Sequence, residues 1–201
     1  MSMTLRYVLL GVIAYLLGSF STGLTVARVH HGPNLREVGS KNTGASNVLR
    51  TMGVRNGLVT FLGDCGKAAL ACGIGWWMVG QYGALLAGLM VILGHNWPVF
   101  FQFKGGKGVA SSCGVMLVCF PIPAIICFVI TILIIWLTKY ISLGSLCMLT
   151  LFAIIVSVTN WGNWLIVAWA VALAALCFLR HRSNISRLIH GTESKLGQKV
   201  K

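Results

Sequence analysis

Long, nearly uncharged apolar stretches divide this chain and leave it few solvents in which to fold. Leu5–Ala27, Gly57–Val79, Gly83–Phe103, Ser142–Thr159 and Trp161–Leu179 each meet or approach the run of about 20 apolar residues that crosses a bilayer as a helix. Only 9% of the 201 residues are charged and 57% are hydrophobic, whereas a soluble domain carries about 25% charged residues. A water-facing surface needs more charge than that, so lipid is the solvent the composition implies. The first stretch is too long for a signal-peptide core and lacks a convincing small-residue cleavage site, so it reads as a retained span. No linker or low-complexity stretch interrupts the chain, and a single domain over residues 1–201 is expected.

The ambiguous stretch is Val109–Leu137. One long helix there would be broken by Pro121 and Pro123. Two short helices turning at Pro121-Ile122-Pro123 raise the count from six spans to seven. Charge decides between them, because cytoplasmic loops hold the excess of Lys and Arg. With seven spans and the amino terminus outside, the first inner loop holds Arg28, Arg36, Lys41, Arg50 and Arg55. The second holds Lys104 and Lys107, the third Lys139, and the tail Arg180, Arg182, Arg187, Lys195, Lys199 and Lys201. The outer turns, Gly80–Tyr82, Pro121–Pro123 and Asn160, hold none. Six spans would put the basic tail and the Arg-rich first loop on opposite sides. The expected fold is therefore all-α: seven transmembrane helices, the carboxyl terminus cytoplasmic. Trp161 and Trp164 at the outer end of the last span suit an interfacial aromatic belt.

Sixteen Lys and Arg against three Asp and Glu give a formal charge of +13. Nucleic acid does not fit, because apolar spans separate the basic residues instead of a soluble surface gathering them. Anionic lipid or a phosphate-bearing substrate does. The seven cysteines all fall in apolar segments and form no C-x-x-C, so they read as small packing residues and not as metal ligands or disulfide partners.

The remaining polarity is concentrated in three clusters that share the predicted inner face. The first, Val38–Arg50, packs Ser40, Lys41, Asn42, Thr43, Ser46, Asn47 and Arg50 around Gly39 and Gly44. Glycines let successive N–H groups converge on an anion, hydroxyls and amides add donors, and Arg offers a fork that matches phosphate oxygens. A helix beginning near Ala45 adds a favourable dipole. The second, Gly94–Gly108, ends in Lys104-Gly105-Gly106-Lys107-Gly108. It is no nucleotide P-loop, because Gly108 and not Ser or Thr follows Lys107 and no glycine stands at the earlier spacing. It still suits close approach of backbone to an anion, though such glycines also serve tight helix packing. The third, Arg180–Glu193, follows the last span and places His181 and Asn184 three residues apart. Basic residues there also satisfy the positive-inside rule without any catalytic purpose.

Asp64 and Lys67 lie inside the second span, where each charge costs about 2.5–3.5 kcal/mol. They either neutralise each other across one helix face or line a site. Glu37, Asp64 and Glu193 are the only acidic residues. One chain cannot supply the converging carboxylates of a two-metal phosphotransferase, so no metal is expected. What remains is chemistry in which fixed cations, hydroxyls and backbone donors bind phosphate and stabilise developing charge.

Gly39–Arg50 (GSKNTGASNVLR), Gly94–Ala110 (GHNWPVFFQFKGGKGVA) and Arg180–Leu188 (RHRSNISRL) resemble the three signature segments of the bacterial acyl-phosphate:glycerol-3-phosphate acyltransferases. The likeness extends to Gly18-Ser19 and to Asp64-x-x-Lys67; Lys41 and Ser46 stand where small and Thr residues are usual. The resemblance implies a multi-pass inner-membrane enzyme of phospholipid synthesis. It would pass a fatty acyl group from acyl phosphate to the sn-1 hydroxyl of glycerol 3-phosphate, releasing phosphate, with membrane lipids around it and no cofactor. It implies catalytic roles for Ser40, Arg50, Lys107, His181 and Asn184. Phosphate and substrate contacts would come from Asn42, Gly44, Ser46, Asn47, Lys104, Gly105, Gly106 and Gly108. Asp64, Lys67 and Glu193 would give structural support. The rival reading is a transporter or exchanger of small organic phosphates; against it, transport sites usually lie near the bilayer midplane.

Overall fold

The computed structural model describes residues 1–198, and no strand forms among them. Lys199 and Lys201, counted in the basic tail, lie outside the described residues. Two compact units divide the chain, Met1–Cys119 and Phe120–Gln198.

In the first unit α1 spans Met3–Ser19, with the Ser2 side chain accepting from the Leu5 N–H, and α2 spans Thr22–Val29, with Ser21 accepting from the Leu24 N–H. Each hydroxyl satisfies one of the N–H groups that a helix start leaves without a partner. The apolar run expected as one uninterrupted span is thus broken at Phe20, although Met3–Val29 together remains long and apolar enough to cross a membrane. Helix α3, Ala45–Val79, starts where the sequence suggested but carries a break at Gly53 (φ 86°, ψ 176°). Only glycine holds such a conformation without steric cost. Helix α4 spans Gln81–Asn96, a single 3-10 turn covers Val99–Phe101, and α5 spans Val109–Cys119.

Helix α4 packs against α1 and α3, and α5 against α3. Backbones touch where side chains are missing: a Cβ on Gly18 would fall on the Val91 carbonyl, one on Gly94 on the Tyr15 carbonyl, and one on Gly114 on the Cys65 carbonyl. Small residues at such crossings give the close van der Waals packing that replaces the hydrophobic drive inside lipid.

In the second unit α6 spans Pro121–Thr138, α7 Ile141–Thr159, α8 Trp164–Arg180 and α9 Arg182–Ile189, the last bent by 63° from α8. Val109–Leu137 is indeed two helices, but the break falls at Phe120 (φ −146°, ψ 73°) and the prolines are not the turn. Pro121 and Pro123 lie in the first turn of α6, where a helix needs no N–H from them. Phe120, Phe152 and Trp169 pack ring against ring with centroids 5.8–6.3 Å apart. The outer faces are apolar: Ile122, Val129, Ile132, Leu133 and Trp136 of α6 are all exposed, as a lipid-facing helix requires.

Five helical segments of the described residues are long and apolar enough to cross a membrane, or six if the bent α8–α9 pair counts as one span. Helix α5 has 11 residues, about 16 Å at 1.5 Å per residue, against a hydrocarbon core of about 30 Å.

Candidate active site

The loop between α2 and α3 carries the first polar cluster, and an apolar footing holds it down. Leu35 is fully buried against Val26, Ala27 and Val48, with Leu24 and Met52 packed alongside. Asn47, also buried, shapes the rest. Its Oδ1 accepts from the Ser40 N–H (2.9 Å), and its Nδ2 donates to the carbonyls of Leu35 (3.1 Å) and Val38 (3.2 Å). Gly39 (φ 61°) turns the chain directly over that amide, and a Cβ there would strike the Asn47 oxygen. Asn42 Oδ1 accepts from the Gly44 N–H (2.9 Å), and Gly44 caps α3. Ser40 is exposed, and Asn42, Gly44, Ser46 and Arg50 are partly exposed around the start of α3. The loop and the first turns of α3 therefore carry a hydroxyl, an amide and an arginine, beside a helix N-terminus whose backbone N–H groups favour anions.

The second cluster adjoins the first. Arg36 Nη2 donates to the carbonyls of Phe101 and Lys104, both at 2.9 Å, and its guanidinium carbon lies 5.9 Å from the centre of the Phe101 ring. Gln102 (φ 57°) and Phe103 (φ 58°), the two residues between those carbonyls, are both left-handed, a conformation that costs non-glycine residues about 1–2 kcal/mol each. One cation thus holds a strained turn and ties two distant loops together. Beyond it come Lys104, exposed, and Lys107, partly exposed, in a glycine frame. The Gly106 N–H donates to the His95 carbonyl (3.0 Å), and Gly108 (φ 81°) leads into α5, where its carbonyl accepts from the Ser112 N–H (2.7 Å). A Cβ on Gly105 would fall on the His95 carbonyl and one on Gly106 on His95 Nε2, so close approach explains both glycines.

Beneath this loop lies the intramembrane pair. Lys67 Nζ is 2.8 Å from Asp64 Oδ1, 3.0 Å and 2.5 Å from the carbonyls of Gly18 and Phe20, and 3.1 Å from His95 Nδ1. Thr22 Oγ1 donates to Asp64 Oδ1 (3.0 Å). The pair is thus buried inside a polar network that spans α1, α2, α3 and α4, and it does not stand alone on one helix face.

In the second unit His181 sits at the bend between α8 and α9 and is 3% exposed. Its Nδ1 lies 2.8 Å from the Cys177 carbonyl. A carbonyl only accepts, so in the neutral ring the proton is on Nδ1 and Nε2 carries the lone pair. Asn184 Nδ2 (2.6 Å), Ser142 Oγ (2.8 Å) and Arg187 Nε (2.7 Å) all donate to Glu193. Burial pushes the Glu193 carboxyl up, but those three hydrogen bonds and the Arg187 charge outweigh it and hold it below the ordinary glutamate range.

The structure thus brings Ser40, Asn42, Gly44, Ser46 and Arg50 into one unit with Lys104–Gly108, Asp64 and Lys67, and gathers His181, Asn184 and Glu193 in the other. Among the described residues no three His, Cys, Asp or Glu side chains come together as metal ligands would. Arg36 and Thr22 carry no sequence signal for these roles, since their partners lie 65, 68 and 42 positions away.

A sequence model described as "Glycerol-3-phosphate acyltransferase" matches residues 8–191. A glycerol-3-phosphate acyltransferase of Thermoanaerobacter sp. (strain X514) is 42% identical over 96% of this chain and 97% of its own length. One of Clostridioides difficile (strain 630) is 43% identical over 96% and 97%. The crystal structure of PlsY, an integral membrane glycerol 3-phosphate acyltransferase in its glycerol 3-phosphate form, superposes with a TM-score of 0.89 at 36% identity, covering 95% of this chain and 96% of that one. Its lysophosphatidic acid form gives 0.87 at 34% identity. With the matched region running through both units and all three polar clusters, the chain belongs to the glycerol-3-phosphate acyltransferase family.

Proposed function

We propose that the chain transfers a fatty acyl group from acyl phosphate to the sn-1 hydroxyl of glycerol 3-phosphate at the cytoplasmic face of the inner membrane, as one acyltransferase domain with seven spans, the amino terminus outside and the carboxyl terminus cytoplasmic. The products are 1-acylglycerol 3-phosphate and phosphate. Family membership supports the reaction class. The observation that carries the site is Arg36 joining the Ser40–Arg50 loop to the Lys104–Gly108 loop. Two donor-rich loops held as one body suit a reaction in which both reactants carry phosphate.

Acyl phosphate is already activated, so the transfer requires neither nucleotide nor cofactor. Ser40, Asn42, Ser46, Arg50 and Lys107 hold the donor's phosphate, and the glycine frame helps hold glycerol 3-phosphate. Asn47 acts by shaping the loop that carries Ser40. The acceptor oxygen attacks the acyl carbonyl, the carbon–oxygen bond to phosphate breaks, and the hydroxyl proton passes to a phosphate oxygen. The phosphate route is favoured because carboxylate bases are scarce: Asp64 is taken by Thr22 and Lys67, and Glu37 accepts from Asn34 on the surface. The competing base is His181 Nε2, and an H181A enzyme that lost chemistry but kept its fold and both substrate affinities would favour it. Proximity alone lowers such a barrier by up to about 7–11 kcal/mol in good geometry. The roles of His181 and Asn184 rest on the resemblance of their own segment.

Purified S40A, R50A and K107A enzymes test this. Each should keep the wild-type unfolding profile while product formation falls roughly 100-fold or more, the scale for removing one charge-stabilising donor. Full activity in both R50A and K107A would refute the assignment. Glycerol 3-phosphate uptake by proteoliposomes without product would favour a transporter.

A further inference from the structure

The catalytic scheme leaves the buried Asp64–Lys67–His95 network without a task. A chain that keeps two charges and an imidazole inside a lipid-embedded bundle carries a cost that simple packing does not explain. Lys67 is fixed by one carboxylate and two backbone carbonyls. Its three N–H groups are directed at those three oxygens, and an N–H on His95 Nδ1 facing the ammonium at 3.1 Å would be repelled by it, so Nδ1 presents its lone pair to a shared proton. Asp64 Oδ1 lies 3.6 Å from that nitrogen, too far to compete for a proton on it. The ring proton therefore belongs on Nε2. Nε2 is the atom that the missing side chain of Gly106 would meet, and the Gly106 N–H is hydrogen-bonded to the His95 carbonyl. His95 is buried, at 7% exposure, with its Nε2 against Gly106.

We infer that Asp64 and Lys67 lock His95 as its Nε2–H tautomer beneath Gly106, and that His95 is a positioning residue that sets the height of the Gly105–Gly108 loop for an anionic phosphate. This rests on the reading of that loop as a phosphate-binding element. The imidazole edge facing the loop is then a donor edge, matched in sign to the anion above it. An accepting lone pair there would oppose it. The loop's position is thereby referred to a charge pair anchored on the carbonyls of α1, so the site inherits the rigidity of the helix bundle.

Three measurements on the full-length enzyme in detergent or nanodiscs test the inference. First, 15N NMR of histidine-labelled protein, with His95 assigned by its absence in H95Q, should show a neutral ring protonated on Nε2. In K67M that pattern should be lost. A ring protonated on Nδ1, or an imidazolium, in the wild type would overturn the lock whatever the enzyme turns over. Second, H95L should raise KM for glycerol 3-phosphate roughly tenfold or more with kcat little changed, the scale of a misplaced binding group. H95Q, which can place an amide N–H near Nε2, should recover much of that loss. An unchanged KM in a turning-over H95L enzyme would overturn the positioning role. Third, G106A should be severely impaired on its own and partly rescued by H95A, because the alanine Cβ then has room. Strict additivity in that double-mutant cycle would count against the contact. A wild-type protein that makes no product from acyl phosphate and glycerol 3-phosphate would fail the functional reading, and the tautomer measurement would still stand or fall by itself.

Discussion

Asn47 commits both ends of its side-chain amide to the loop that carries Ser40, and Arg36 commits its guanidinium to two carbonyls of another loop. Neither is interchangeable with a near relative. N47D keeps the acceptor for the Ser40 N–H but turns a carboxylate oxygen toward the Leu35 and Val38 carbonyls. Leaving buried polar groups without partners costs about 1–3 kcal/mol each, so denaturant unfolding should show N47D and N47A destabilised by about 2–3 kcal/mol. R36K retains the charge, but a single ammonium is poorly shaped to span two carbonyls. It should lose about 1 kcal/mol of stability and raise KM for glycerol 3-phosphate, with R36A worse on both measures. At this scale the sequence was only partly legible. It marked Asn47 as a polar group near phosphate but not as a brace, because its partners are backbone atoms that any residue could supply.

Among the elements, helix crossings and the carboxyl-terminal segment make separate predictions. The α1–α4 crossing relies on Gly18 and Gly94 lying against the opposite backbone. G94V has no empty space to occupy, and overpacking of this kind typically costs about 1–3 kcal/mol; thermal unfolding in detergent should register that loss. It should also lower activity, because His95 is the next residue. In the second unit, Glu193 holds α9 and the tail to α7 through Asn184, Arg187 and Ser142. Its folded pKa lies below the ordinary glutamate value of 4.5. The stability it contributes is therefore complete above about pH 4.5 and is lost as pH falls through the lower folded value. Wild-type Tm should drop more steeply on acidification below that point than the Tm of E193Q; parallel curves would show that the carboxylate contributes nothing. The existence and apolar character of the helices could be read from composition alone. The breaks could not. Gly53 resembles the other glycines of the chain, and at Pro121 the helix restarts at a residue expected to end one.

For the whole molecule, the proposed arrangement puts every basic loop on one side of the membrane. Single cysteines at Ser2, Lys41 and His190, in a background freed of the seven native cysteines, should divide cleanly. The first should react with an impermeant thiol reagent from outside, and the other two only after the inner face is opened. Reaction of K41C from outside would overturn the orientation. The three motifs and their order were fully legible, since each is contiguous in sequence. What was not legible is the support beneath them. The Asp64–Lys67 pair, read as self-neutralising or as site-lining, does pair at 2.8 Å and is also the hub of a buried network that reaches α1, α2 and α4. Acyl transfer itself is tested with purified protein in nanodiscs, a long-chain acyl phosphate and glycerol 3-phosphate, and no nucleotide. Lysophosphatidic acid and inorganic phosphate should form in equal amounts, and neither should form when glycerol 3-phosphate is omitted. Phosphate released at the same rate without the acceptor, or no acylated product with it, would contradict the account.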